Sequence, residues 1–278
     1  FATIFEKEAR RPMKHGIVSP QEKEAIPIMQ LIVERVLGNT KGSNEVLYIS
    51  TPADPIDVDM DVLYHKKTME ALTKRLKYDT KVIDEGLAVI YSELADFNFT
   101  GLGISVGAGL TNVTLAYMAS PLMSFSIGRG GDWIDEQVAK STGLTKEHVT
   151  STKEKVSSLS THVDVGSPEG ALNIYYDALI SYVIENLKKK LAHITPPEVA
   201  FPVTIAGGSS LPKGFFEMFE KKMNNAKLGI ELSKIVKAKD PLNSVARGCL
   251  IAAQTQEGQT NHTTQSSQKK GKKQKATQ

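Results

Sequence analysis

Residues 101–115 read Gly-Leu-Gly-Ile-Ser-Val-Gly-Ala-Gly-Leu-Thr-Asn-Val-Thr-Leu, two apolar, β-branched runs flanking the glycines at Gly107 and Gly109. That pattern predicts strand, tight turn, strand. Glycine lets the backbone bend at positive φ and lets its N–H groups approach a ligand with no Cβ in the way. A concavity of such N–H groups attracts anions, so a phosphate-binding hairpin stands beside the blander reading of an ordinary turn. A dinucleotide-binding turn would have to open a helix. Here Asn112-Val113-Thr114-Leu115-Ala116-Tyr117 alternates as a strand does, and a third strand (122–127) follows Ser120-Pro121. The dinucleotide reading fails on that point.

A chain of 278 residues can bury one large core or two small ones. Its 40% hydrophobic and 23% charged content is that of a soluble globular protein, and no apolar run approaches the roughly 20 residues that span a bilayer. Residues 1–6 show no basic region followed by an apolar one, so no secretory signal is expected. A single cysteine, Cys249, rules out an internal disulfide, fits a reducing compartment and reads as a small core residue. The net charge of +3 is unevenly spread: from Gln254 onward five lysines face one acid, and the rest of the chain sums to −1. A nearly neutral folded part argues against a nucleic-acid-binding surface. His15, His65, His148, His162 and His193 have no spacing that points to metal ligation.

Along the chain, Ser19-Pro20-Gln21-Glu22 reads as a capped helix start. Ile26, Met29, Ile32, Val33, Val36 and Leu37 recur at helical spacing, with a kink expected at Pro27 and a stop at Gly38. A buried strand (45–50), a helix (62–76), a short strand (81–84) and a helix opening at Glu85 follow. After the three-strand meander, Gly130-Gly131-Asp132-Trp133-Ile134-Asp135 opens a helix that ends at Gly143. Residues 144–168 are polar and unassigned. Ala171, Ile174, Tyr175, Ala178, Leu179, Tyr182, Val183, Leu187 and Leu191 form the stripe of a long amphipathic helix, closed by Pro196-Pro197. A strand (203–206), a Gly207-Gly208-Ser209-Ser210 loop, a helix carrying Phe215, Met218 and Phe219, a strand (232–236) and a helix (243–253) complete the pattern. The tail, 255–278, has the composition of disorder. The order is that of a mixed sheet with helices on its faces, preceded by a shortened copy of the same α/β unit.

These residues resemble the actin-like ATPases, nearest to the bacterial MreB type, over about residues 11–253. The carriers are Arg11-Pro12-Met13-Lys14-His15-Gly16-Ile17-Val18, the glycine hairpin, Gly130-Gly131-Asp132-x-x-Asp135, Thr195-Pro196-Pro197-Glu198, and Gly207-Gly208-Ser209-Ser210-Leu211-Pro212-Lys213-Gly214. Their order and spacing make the signal. The resemblance implies an α/β, actin-like fold, ribonuclease H-like and duplicated. Its first lobe (1–100, with 243–254 packing back) is incomplete. The second (101–242) carries the nucleotide loops and a small subdomain reduced near 150–170. It implies ATP or ADP with Mg as cofactors. Gly107, Ala108, Gly109 and Thr111 stand where the family grips the β- and γ-phosphates. Gly207, Gly208 and Ser209 stand against adenine and ribose, and Lys153 and Glu154 border the adenosine. Glu85 stands where the family orients the attacking water, a role of positioning and electrostatics.

Each position has a plainer reading as well. Glu85 also fits an acid favoured by a helix dipole, and Lys153 and Glu154 a solvated helix face. Ser105 occupies the position of the family's Mg-organising aspartate, so its contact with the metal would be weak and through water. The acidic-x-Gly-Thr loop that belongs before Arg11 is not among these residues; the preferred expectation is that the natural chain extends further upstream, and the alternative is a degenerate member completed by a partner. The function implied is an ATP-binding cytoskeletal protein that self-assembles into nucleotide-dependent filaments in the cytoplasm, with a membrane or adaptor protein as a further partner option; the lysine-rich tail reads as solubilising, with a weak anionic-surface contact as the alternative. An ATP-binding scaffold with weak hydrolysis is the alternative, and a heat-shock-type chaperone ATPase the third.

Overall fold

The computed structural model describes residues 12–18, 21–42, 45–155, 158–159 and 166–256. Its centre is a five-stranded sheet. The strands are β5 (Gly101–Val106), β6 (Thr111–Tyr117), β7 (Ser120–Ile127), β8 (Phe201–Ala206) and β9 (Leu232–Lys237), in the order β7-β6-β5-β8-β9. β5 pairs antiparallel with β6 and β6 with β7, while β5/β8 and β8/β9 are parallel. The strand–turn–strand expectation holds, and so does the mixed sheet.

The sequence of β5 explains how the two faces differ. Leu102, Ile104 and Val106 alternate onto one face, where they join Val113, Leu115, Phe125, Val203 and Ile205. Helices α4 (Gly131–Thr142), α6 (Pro168–Leu191) and α7 (Phe215–Asn225) cover that face. Each fully buried aliphatic side chain there contributes about 1.5–3 kcal/mol. Gly101, Gly103 and Ser105 take the other face. Gly103 is small because helix α3 (Glu85–Glu93) lies with its backbone on the strand, and a Cβ there would overlap the Gly86 carbonyl, while a Cβ at Gly101 would overlap Leu94 and the Pro202 carbonyl of β8. Glycine is used here for close approach rather than for turning.

Ahead of α3, β3 (Val46–Thr51) and β4 (Asp79–Asp84) form a parallel two-stranded sheet, in register from Val46↔Asp79 to Thr51↔Asp84. β3 is half-buried, less covered than its apolar sequence predicts. A hairpin of β1 (Met13–Lys14) and β2 (Ile17–Val18) and helices α1 (Ala25–Leu37) and α2 (Val62–Arg75) share a small core of Val18, Ala25, Met29 and Leu72. His65 belongs to it as a satisfied core histidine: its Nδ1 accepts from the Val18 amide at 3.2 Å, and burial lowers its pKa. A last helix, α8 (244–256), returns onto α3, burying Cys249 and Ala252 with Tyr48 and Tyr91. Burial raises the Cys249 thiol to about 11, which marks it as an inert core residue.

Several expectations change. Residues 19–20 lie outside the described residues, and α1 begins at Ala25, so Pro27 is in its first turn, where a missing N–H breaks no helical bond. Pro27 therefore introduces no kink. Residues 144–168, unassigned from sequence, include helix α5 (Lys146–Lys155). The buried face of α6 runs through Leu172, Tyr176, Leu179, Ile180 and Val183, whereas Ile174 is 47% exposed. α6 is covered by the sheet, α4 and α7 together, and three-sided cover widens and rotates the apolar face. It also ends at Leu191, before Pro196, with Lys188, Lys189 and Lys190 in its last turn to complement the dipole. The tail beyond residue 256 lies outside the described residues, and among these no helix is long and apolar enough to cross a membrane.

Candidate functional site

The β5–β6 turn meets the start of α4 through its carbonyls. The Gly107 amide closes the turn on the Leu110 carbonyl at 2.9 Å. The Gly107 carbonyl accepts from the Gly131 amide (3.0 Å) and the Ser209 hydroxyl (2.9 Å), and the Ala108 carbonyl from the Asp132 amide (2.8 Å). A side chain at Gly130 would stand 2.5 Å from the Gly107 oxygen, so the junction needs a bare backbone. The amides of Ala108 and Gly109 remain, with no acceptor among the described residues.

A cavity of about 640 Å³ opens against this turn. Ala108 and Gly131 line one side, and Thr150, Lys153 and Glu154 of α5 another. Gly208, Ser209, Lys213 and Leu242 come from the loops after β8 and β9. Lys153 is no solvated-face residue: its side chain is 16% exposed, its Nζ lies 2.7 Å from Asp135 Oδ1, and it donates to the Gly131 carbonyl at 3.2 Å. The Thr150 hydroxyl donates to Asp135 Oδ2 at 3.0 Å. Beneath them the buried Tyr176 hydroxyl has no partner among the described residues. Burial, then the Asp135 charge, raises its pKa, so it is present as a neutral donor.

Two loops far apart in sequence, Ala108 and Gly208-Ser209, thus face one cavity together with Lys153 and Glu154. The other residues singled out from sequence stand behind its wall. Gly109 packs on the β1–β2 turn, where a Cβ would overlap the His15 backbone. Gly207, at φ 99°, packs on the Val106 backbone. The Thr111 hydroxyl donates to the Arg129 carbonyl at 2.7 Å.

Glu85 heads α3 and accepts at Oε2 from Asn112 Nδ2 (2.9 Å) and the Ser105 hydroxyl (3.3 Å). Asn112 in turn accepts at Oδ1 from the Ala53 amide, and the Ala53 carbonyl from the Ser126 hydroxyl. The loop after β3 is thereby tied to the five-stranded sheet. Burial raises the Glu85 pKa, opposed by its two donors. An acid whose folded pKa is raised binds more protons folded than unfolded. Its contribution is intact below the ordinary carboxylate range and is lost as pH rises through the raised value. Glu85→Gln should therefore gain on the wild type from pH 4 to pH 8 in denaturant titrations. Parallel stability curves for the two proteins would contradict this account.

The sequence reading missed Thr150, Tyr176, Lys213 and Leu242 and gave Asp132 and Asp135 no role. The Asp132-x-x-Asp135 spacing was a usable signal, since it brings two acids onto one side of α4. Tyr176 carried none, because the stripe read from sequence runs through Tyr175 and leaves Tyr176 outside it, whereas the rotated face of α6 buries Tyr176.

No curated protein matches the sequence. MamK, solved as a double helical filament, superposes with a TM-score of 0.70 at 18% identity, covering 88% of this chain and 80% of that one. MreB5 of Spiroplasma citri bound to AMPPNP gives 0.64 at 16% identity, over 90% and 80%. The ethanolamine utilization protein EutJ of Carboxydothermus hydrogenoformans gives 0.54 at 18%, over 88% and 79%. These likenesses establish the actin-like fold. The Volactin family matches residues 1–253, and the chain is a member of that family, built on the actin-like fold.

Proposed function

We propose that the chain binds an adenine nucleotide, ATP or ADP with Mg²⁺, in the 640 Å³ cavity and self-assembles into nucleotide-dependent filaments. The observation that carries this is the convergence of the Ala108 turn and the Gly208-Ser209 loop on one cavity that also holds unpartnered donors. The Ala108 amide would hold a phosphate oxygen. At Gly208 an added Cβ would crowd Leu242 Cδ2 at 3.3 Å, so a bare backbone keeps this wall clear, and a base there would lie beside Leu242. The ionisable residues lining the cavity are Asp132, Asp135 and Glu154 against Lys153 and Lys213, one net negative charge. They cannot neutralise a triphosphate, which favours a nucleotide that arrives with its divalent ion. The ion would supply that neutralisation. MreB5 has been solved with AMPPNP and with ADP, and MamK as a filament, which supports both halves of the reading.

A second reading, an ATP-binding scaffold that hydrolyses weakly, is favoured by Ser105, whose hydroxyl is committed to Glu85. Sedimentation of the full chain with and without Mg-ATP, with phosphate release followed in parallel, tests both. Pelleting that requires Mg-ATP is expected, together with slow release that rises in Ser105→Asp. Absence of both AMPPNP binding and nucleotide-dependent pelleting would overturn the proposal. Fast release by the native chain would remove the scaffold reading.

A further inference from the structure

We infer that a second cavity, of about 520 Å³, binds a phosphate group outside the nucleotide cavity. It lies where Ser158-Leu159, the Lys213-Gly214 turn, α7 and the end of β9 meet. Lys213, Lys221 and Lys237 line it, with Glu217 as the one acid among its lining residues. Among the described residues none of the three lysines has a carboxylate partner, although neighbouring lysines do: Lys222 pairs with Asp177 at 2.9 Å, and Lys189 with Glu185 at 2.6 Å. Lys237 Nζ lies 6.0 Å from the Phe216 ring centroid, a contact that leaves its charge unneutralised, so three cations against one acid leave two positive charges, which a phosphate monoester dianion matches and a single carboxylate does not.

The backbone around the cavity is built tightly. The Leu159 amide donates to the Lys213 carbonyl at 2.6 Å, and a Cβ at Gly214 would overlap the Leu159 carbonyl. Gly214, in the left-handed region, caps α7 without a capping side chain; the Phe215 amide donates to the Pro212 carbonyl at 3.1 Å, and the positive end of the helix dipole adds to the field of the lysines. Lys213 lines both cavities, so an occupant here would touch the turn that borders the nucleotide. The ligand is a phosphate-bearing anion, either free or at a lipid headgroup.

The test titrates the full chain, its nucleotide cavity first saturated with Mg-AMPPNP, with inorganic triphosphate at physiological salt and, separately, sediments it with vesicles of phosphatidylcholine containing phosphatidylinositol phosphate. Lys221→Glu/Lys237→Glu removes the site, and Lys188→Glu/Lys189→Glu is an equal charge change elsewhere. Binding should weaken about tenfold or more in the first variant, as expected for lost charge-assisted bonds, and stay within about twofold in the second. AMPPNP should not displace the anion. Triphosphate binding identifies a free phosphate. Vesicle binding alone, lost in the first variant, identifies a headgroup. Equal binding by the first variant, displacement by AMPPNP, or no binding in either arm overturns the inference. Unchanged melting of both variants excludes unfolding as the cause.

Discussion

Gly248→Val should lower the melting temperature by about 10 °C, corresponding to a loss of about 3 kcal/mol for a folded region of this size. Gly248 lies in α8 where that helix crosses α3, and a Cβ there would overlap the Ala88 carbonyl. The contact is with backbone, so no rotamer change relieves it. Helix propensity acts the other way: replacing an interior glycine by alanine gains about 1 kcal/mol in an open helix. Gly248→Ala therefore measures which effect wins, and it should still destabilise. Ser244 and Ala252 continue the same small-residue ridge, both fully buried, and the Ser244 hydroxyl donates to Glu93 Oε1 at 3.0 Å. Ala246→Val, on the exposed side of α8, should cost only the small propensity difference between the two residues. Equal melting of Gly248→Val and Ala246→Val would show that α3 and α8 do not meet at Gly248.

That crossing illustrates what the sequence does and does not reveal. Period-2 alternation in residues 101–127 gave three strands, and Gly207 after an apolar run gave the end of a fourth, because local patterning determines local structure. Gly103 and Gly248 look like weak points in a strand and a helix. Their reason is the backbone of α3, a partner distant in sequence from Gly248. The same limit applies to the site. Ala108, Gly208 and Ser209 were singled out through the ordered motifs of the family resemblance, and they do line one cavity. Thr150 and Tyr176 were not, since nothing in a polar helix distinguishes a cavity wall from solvent, and Tyr176 falls outside the apolar stripe read from the sequence. Lys153 was ambiguous for a related reason: its environment depends on Asp135 from α4, which no spacing within α5 records.

Lys153 also yields the second large effect. Lys153→Met should destabilise the protein by about 3–5 kcal/mol, because it leaves the Asp135 carboxylate, 3% exposed, without its cation. The Thr150 hydroxyl still donates to Oδ2, but one neutral hydrogen bond, worth about 1 kcal/mol, cannot replace a buried opposite charge. Pairing the change with Asp135→Asn removes the stranded charge, so the double variant should recover most of the lost stability. That non-additivity, measured by denaturant titration around the cycle, separates a buried ion pair from two independent surface charges. Glu154→Ala, one residue along and exposed, is the control and should fall within about 0.5 kcal/mol of the wild type. Nucleotide binding divides the same variants differently. The double variant regains its fold but not the cation beside the Gly131 carbonyl, so its AMPPNP affinity should stay well below that of the wild type. Wild-type affinity in the refolded double variant would make Lys153 a structural residue only, holding α5 against α4. Additive stability losses around the cycle would instead mean that the 2.7 Å pair contributes nothing to the fold.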